Sequence, residues 1–429
     1  MKLSKLDTSI GALQWFIFLL ANSLTIPIIV GQVFQLPPEE ISGLMQRTFF
    51  VVGLSSLLSG FLGHRLPIPD GPAGIWLAIF TLMGQMAMIE GVSHVNNSLQ
   101  LLEGAMILAG IILLVVSITG WMTKLLTYFT PLVNGVYLTI LGFQLCSIFL
   151  EGMFDVNPTS TSIQMGVVLL SFGTFLLVLF LGVWGKGWLK SYAVLIGMVI
   201  GSVLFILFFG THSFPKKDSI ISFPEIFAWG PPKIDTSMIV SAILVAIVLI
   251  LSIIASIAAM KHVLSTQNEH RKEGTLKSAG VISGANTIIS AIFSVVGVVP
   301  YTVTASFVQM TGQNKMKPYI IASFLLAFIA FFPSIYTIFA MLPGPIANGA
   351  MLASYTTMAG IGISTVLKEP LDQRRITILS ISLSLGISVM FLPEVVISAF
   401  PPLLQYVISN GVMVGLITAL ILEHVWKTK

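Results

Sequence analysis

Runs of about twenty apolar residues recur along this whole sequence, each long enough to cross a hydrocarbon core of roughly 30 Å. Two of the runs are interrupted by proline and glycine at matching positions in the two halves. One is Leu66-Pro67-Ile68-Pro69-Asp70-Gly71-Pro72-Ala73-Gly74, and the other is Gly297-Val298-Val299-Pro300-Tyr301-Thr302-Val303-Thr304-Ala305-Ser306. Lipid offers the backbone no hydrogen bonds, so non-helical chain at membrane depth must be covered by protein or line a cavity. A pair of such interruptions, one per half, points to the binding site of a secondary transporter.

Only 9% of the residues are charged and 55% are hydrophobic, too few charges to coat a water-facing surface. The sequence reads as an all-α polytopic membrane protein. Its net charge of +4 is accounted for by lysines and arginines that anchor topology. No basic run is interleaved with aromatics, so no nucleic-acid partner is expected. The single cysteine, Cys146, rules out an intramolecular disulfide or a cysteine metal cluster and reads as packing. No two-histidine spacing and no Gly-Lys-Ser/Thr loop occurs, so neither metal, cofactor nor fused ATPase is expected. The apolar stretch after Met1–Asp7 lacks a small-residue cleavage site and reads as a first span, not a signal peptide.

Fourteen segments can be counted, near residues 11–31, 42–63, 72–88, 99–121, 127–150, 162–184, 189–211, 237–262, 277–297, 300–312, 317–341, 345–366, 375–396 and 402–425. The third and tenth are the short, interrupted ones. With both termini in the cytoplasm, all of the 21 lysines and arginines except Arg47, Lys216, Lys217 and Lys233 fall on the inner side. Omitting the tenth segment would put Lys315 and Lys317 outside and invert everything after them. Seven spans per half is an odd number, so the halves are expected as inverted repeats, 1–211 and 237–429, joined by an outer linker over 212–236. Short unwound or strand elements in spans three and ten then face each other. The halves share no convincing residue-level identity, and the repeat rests on topology.

Ionisable groups inside a membrane are costly and stand as functional candidates. Most acids here fall in loops or at helix ends; Glu103 and Glu394 are expected near outer helix ends, within reach of the interface. Asp70 is the exception. It either caps a half-helix that starts at Gly71-Pro72 or binds a proton or sodium ion beside unwound backbone, and local sequence favours neither. The polar groups around the breaks are Asn22 and Ser23 in span one, Ser252 and Ser256 in span eight, and Tyr301, Thr302, Thr304 and Ser306 in span ten. A lone serine or threonine in a membrane helix more often bonds its own i−4 carbonyl, but inverted repeats would bring spans one, three, eight and ten together. Tyr301 suits stacking on a flat, amphipathic ligand, and the small Ala73 and Gly74 would let such a ligand approach the chain.

These residues resemble the nucleobase–cation symporter-2 family, the xanthine/uracil permeases. Leu13-Gln14 through Ile26-Pro27 is similar to its first-span signature, with Trp15 where the family has a histidine. Leu66 to Pro72 is similar to its third-span element, and Leu342-Pro343-Gly344-Pro345-Ile346 to its twelfth-span entry, with Asn348 in place of a glycine. Pro401-Pro402 through Ser409-Asn410-Gly411 fits the last span. The resemblance implies a cytoplasmic-membrane permease for a purine or related nucleobase, with core and gate domains, elevator-like alternating access, proton coupling and a homodimer. It also implies that Asn22, Gly74, Ser256 and Tyr301 face the substrate. Two departures stand out. Ser256 occupies the place of the family's span-eight acid. The acid or amide of span ten falls on Val303 in an ungapped alignment, or on Ser306 when Pro300 is the anchor. An uncoupled facilitator and an anion or carboxylate carrier of the same fold are the rivals within transport. An intramembrane enzyme or sensor would need a catalytic constellation or signalling domain that the sequence lacks.

Overall fold

The computed structural model describes residues 5–90, 94–125, 128–154, 164–210, 219–266, 274–393, 396–397, 399–400, 407–408 and 410–426. Outside them lie Lys2, Asp155, His212, Lys216, Lys217, Asp218, Glu269, His270, Arg271, Lys272, Glu273, Glu394, Pro401, Pro402, Ser409, Lys427 and Lys429. The start of the expected linker and of the last span also lies outside them.

The chain is mostly helical, as its hydropathy requires. In order come α1 (Lys5–Val33), α2 (Pro38–Phe61), β1 (Asp70–Pro72), α3 (Gly74–Glu90), α4 (Val95–Ile118), α5 (Trp121–Leu125), α6 (Pro131–Met153), α7 (Met165–Trp184), α8 (Trp188–Ser191) and α9 (Ala193–Phe209). The second half holds α10 (Thr236–Thr266), α11 (Leu276–Ile292), β2 (Val298–Pro300), α12 (Thr304–Thr311), α13 (Met316–Ile329), α14 (Pro333–Ala340), α15 (Gly344–Val366), α16 (Gln373–Val389) and α17 (Gly411–Val425).

Among the described residues, six helices are long and apolar enough to cross a membrane, and the pair α13 and α14 would make a seventh. Three shorter apolar helices, Gly74–Met88, Ala193–Phe209 and Gly411–Val425, accompany them. The segment expected over 317–341 is not one continuous helix: α13 and α14 are bent by 90°. Phe332 leaves helical geometry with an extended backbone, and Pro333, which lacks an N–H, starts a new helix where that donor is not needed.

The helices sort into two packing groups. In one, α4 lies against α10 and α11, and α13 against α1 and α2. In the other, α15 lies against α6 and α7, and α17 against α16 and α6. Small residues bring the axes together, the device that membrane helices use when apolar burial cannot drive association. A Cβ on Gly135 of α6 would stand 2.7 Å from the carbonyl oxygen of Gly362 on α15, and one on Gly110 of α4 would stand 2.9 Å from that of Gly284 on α11. Contacts of α1 with α15 and of α3 with α6 join the groups.

Against α1, α2, α10 and α11 of the first group the interrupted segments meet. Each follows a helix and a turn with one residue in left-handed backbone, Arg65 (φ 58°) after α2 and Ser294 (φ 50°) after α11. Each then runs three residues as strand and enters a helix, α3 or α12. The strands pair antiparallel, Asp70 opposite Pro300, Gly71 opposite Val299 and Pro72 opposite Val298. Beyond the ladder, Ala73 N–H donates to Gly297 O at 2.8 Å and Tyr301 N–H donates to Pro69 O at 3.0 Å. Pro69 through Ala73 thus match Gly297 through Tyr301 in order, the flanking bonds included. Each break supplies the hydrogen bonds that the other, as a lone proline-interrupted segment, would lack.

Candidate functional site

The site is built around this strand pair. Strand alternation sends successive side chains to opposite faces. On one face, Gly71 carries the ring of Tyr301: a Cβ on Gly71 would lie 2.2 Å from Tyr301 Cζ. The phenol then donates to the carbonyl of Asn22 on α1 at 3.1 Å. An aromatic plane therefore rests directly on backbone, which only glycine permits.

Ser256 on α10 donates to the carbonyl of Pro300 at 2.7 Å, besides its own-helix acceptor Ser252 O, also at 2.7 Å. It ties α10 to β2. Asn22, Ser23 and Ser252 send their own side chains to the i−4 carbonyls of Phe18, Leu19 and Val248, the local bonding that such residues favour. Ala73 is 2% exposed, and Gly74 opens α3 beneath Tyr355 of α15, whose hydroxyl would lie 3.2 Å from an added Cβ. In α12, Thr304 is fully buried with its hydroxyl unpartnered. Thr302 is exposed and Val303 is 45% exposed. The side chain of Ser306 lies outside the described residues.

The structure thus brings Asn22, Ala73, Gly74, Ser256 and Tyr301 to one locus. Two side chains that the sequence reading missed complete it from the opposite packing group. They are Tyr355 of α15, its ring 5.1 Å from that of Phe149, and Tyr137 of α6, whose phenol approaches Ser252. Neither sits near a proline or glycine break, so nothing local marked them.

On the other face of β1, Asp70 is 1% exposed. Its carboxylate does not cap α3. One oxygen, Oδ2, accepts from the hydroxyl of Ser59 on α2 and from Nδ2 of Asn286 on α11, the latter at 3.0 Å. Its backbone N–H donates to Ser56 Oγ at 3.1 Å. Tyr319 of α13 pins the same turn, donating to the carbonyls of Ser56 at 2.7 Å and Ile68 at 3.0 Å. An uncharged amide inside an apolar helix was the available signal for Asn286, and weighing ionisable groups alone passes over it.

One further expectation is corrected. Glu103 does not reach an interface: it is fully buried on α4 and accepts from Ser294, because α11 packs along that face. Trp15 is fully buried among Phe18, Phe307 and Tyr319, with ring centroids 5.9, 4.7 and 5.4 Å away. It holds α1 against α12 and α13 by packing alone. A polar cavity of about 620 Å³ lies apart from the strand pair, lined by Glu39, Glu40, Arg47, Ser222, Glu225 and Thr337 among others. It contains none of the groups described above.

The fold is a mostly helical one in which two broken segments pair as short strands. Among solved structures, the transmembrane domain of a cyanobacterium bicarbonate transporter, BicA, has the same fold, with TM-score 0.59 at 12% identity over 97% of this chain and 98% of that one. Murine Slc26a9, an anion transporter, gives TM-score 0.65 at 12% identity over 99% of this chain and 69% of that one. The sequence model of the Permease family, Xan_ur_permease, matches residues 6–395, and the chain belongs to that family. It is a transporter, not an enzyme. Relatives in Bacillus subtilis (strain 168) include YwdJ, 27% identical over 98% of this chain and 96% of that protein. The uric acid permease PucK is 25% identical over 97% and 95%, and a xanthine permease is 25% identical over 97% and 92%.

Proposed function

We propose that this protein is a secondary transporter that carries a purine or related nucleobase across the cytoplasmic membrane by alternating access, driven by a proton. Membership of the permease family and relatives named for xanthine and uric acid support the substrate class. The single observation that carries the site is the antiparallel strand pair with Tyr301 laid across Gly71. A flat base meets there an aromatic plane, backbone groups at two helix starts, and the polar edge offered by Asn22, Ser256, Thr302 and Thr304. Ala73, Gly74 and Val303 shape its approach.

The matched order of the two breaks and their flanking bonds supports fourteen spans in two inverted repeats, 1–211 and 237–429, with the linker at 212–236 and both termini in the cytoplasm. A two-fold axis in the membrane plane is the simplest source of such a ladder. In this reading the group of α1–α4 and α10–α13 is the core, the group around α6 and α15 is the gate, and the working unit is a homodimer. Asp70 is the coupling residue, since the acid usual in span eight is Ser256.

Uptake of labelled xanthine, uric acid, hypoxanthine, guanine, adenine and uracil in cells lacking their own permeases tests the substrate class. Saturable uptake of at least one base is expected. Uptake of bicarbonate with none of the bases would replace the reading with an anion carrier. In the Asp70→Asn variant, accumulation should lose its dependence on a pH gradient while exchange without a gradient continues. Undiminished gradient-driven accumulation would remove Asp70 from coupling.

A further inference from the structure

The two oxygens of Asp70 are treated unequally. Oδ2 accepts from both Ser59 and Asn286, while Oδ1, buried, has no partner. Asn286 is itself fully buried, and its Oδ1 is likewise without a partner. The orientation of its amide is fixed by what surrounds it. Nδ2 faces the Ser55 carbonyl at 3.2 Å, Ser59 Oγ at 3.1 Å and Asp70 Oδ2 at 3.0 Å, and the Ser55 carbonyl can only accept, whether Asp70 is ionised or protonated. Turning the amide over would set oxygen against oxygen.

An acceptor pair left bare on two residues already joined by one hydrogen bond is the pattern that a carboxylic acid and an amide make when they lack a single proton. Buried polar atoms without partners are rare and call for an explanation. We propose that Asp70 and Asn286 form a proton-binding acid–amide pair, with the proton on Asp70 Oδ1 donated to Asn286 Oδ1 and Asn286 Nδ2 donating back to Asp70 Oδ2. One proton partners both bare oxygens. The inference rests on the coupling reading above and says how its proton is held, with the help of a residue, Asn286, that the sequence did not single out.

The charges around the pair support it. Its titratable neighbours are the phenols of Tyr319 and Tyr301, both neutral and both committed to backbone carbonyls. His64, after α2, accepts the N–H of Leu66 on Nδ1 at 3.1 Å, so its ring is neutral too. Glu39, Glu40 and Arg47 on α2, Lys5 and Asp7 on α1, and Lys277 on α11 sit about two or more turns away along their helices, while Lys317 of α13, two residues before Tyr319, and Arg65 in the turn after α2 are exposed, Arg65 donating to the Phe61 carbonyl. Among the described residues no cation bonds to Asp70. An ionised carboxylate buried without a counter-charge is strongly disfavoured, and protonation removes the charge.

Infrared difference spectra of the purified full-length protein in lipid nanodiscs test this without any substrate. The wild type near neutral pH should show a protonated-carboxyl stretch that shifts in heavy water and vanishes in Asp70→Asn. Asn286→Leu, close in volume, removes the acceptor and should move that band to the position of an acid without a hydrogen bond. An absent band in the wild type, a band unchanged in Asn286→Leu, or one abolished saturably by sodium chloride at constant pH would each overturn the proton pair, the last in favour of a sodium site. Base exchange in proteoliposomes is scored separately. Exchange without the band leaves the transport reading standing and the proton pair refuted. The band without exchange does the reverse.

Discussion

The two broken segments share a backbone and differ in chemistry. Each leaves a helix through one left-handed residue, pairs three residues of strand and enters a new helix, and the order of residues and flanking bonds matches across the pair. Yet the first break carries Asp70, gripped by Ser59 and Asn286, where the second carries Val298, 2% exposed and part of the hydrophobic core. The second carries Tyr301 where the first carries Ala73. In the proposed reading this matched geometry serves two separate tasks: the first strand holds the ion-binding carboxyl on its far face, and the second presents an aromatic plane to the ligand.

The sharpest way to break this comparison is to exchange the chemistry. Val298→Asp places a carboxylate in an apolar lining at a cost on the order of several kcal/mol, and detergent-extracted protein should lose its folded, monodisperse fraction. A Val298→Asp protein that stays folded and keeps its thermal midpoint would show that either break tolerates the charge. Next in size is Gly71→Val. Its Cβ would meet Tyr301 Cζ at 2.2 Å, so the ring must leave the strand, at roughly 1–3 kcal/mol of overpacking and with loss of base exchange. Adding Tyr301→Ala should recover thermal stability but not exchange. Recovery of neither would place the strain elsewhere.

Tyr301→Ala alone should weaken base binding by roughly 1–3 kcal/mol, the worth of stacking one base on an aromatic ring. Phe should be largely tolerated, and equal losses in titration calorimetry would transfer the role to the hydroxyl on Asn22 O. The smallest effect expected is that of Ser256→Ala, which frees β2 from α10 for about 0.5–1.5 kcal/mol of stability. A larger fall in base affinity than in thermal midpoint would make Ser256 a ligand contact.

Much of this was legible in the sequence because proline and glycine mark broken backbone directly. Leu66–Gly74 and Gly297–Ser306 are found as read, down to the strand-like segments at their centres. The direction of the Asp70 side chain was not legible. Capping and coupling are equally local readings, and capping is excluded by Ser59 and Asn286, on other helices, which take up the carboxylate. The bend at Pro333 was hidden because α13 and α14 are both apolar, and hydropathy does not register a turn between them. Tyr137 and Tyr355 come from helices whose packing no local pattern reports.

The division of labour between the breaks is tested most directly by counterflow of a labelled purine into proteoliposomes, with and without an imposed pH gradient, for Asp70→Asn and Tyr301→Ala side by side. The account predicts that Asp70→Asn loses the response to the gradient and keeps its half-saturation concentration. Tyr301→Ala should keep the response and raise half-saturation roughly five- to 150-fold, the equivalent of about 1–3 kcal/mol. The same defect in both variants, in either quantity, would contradict it.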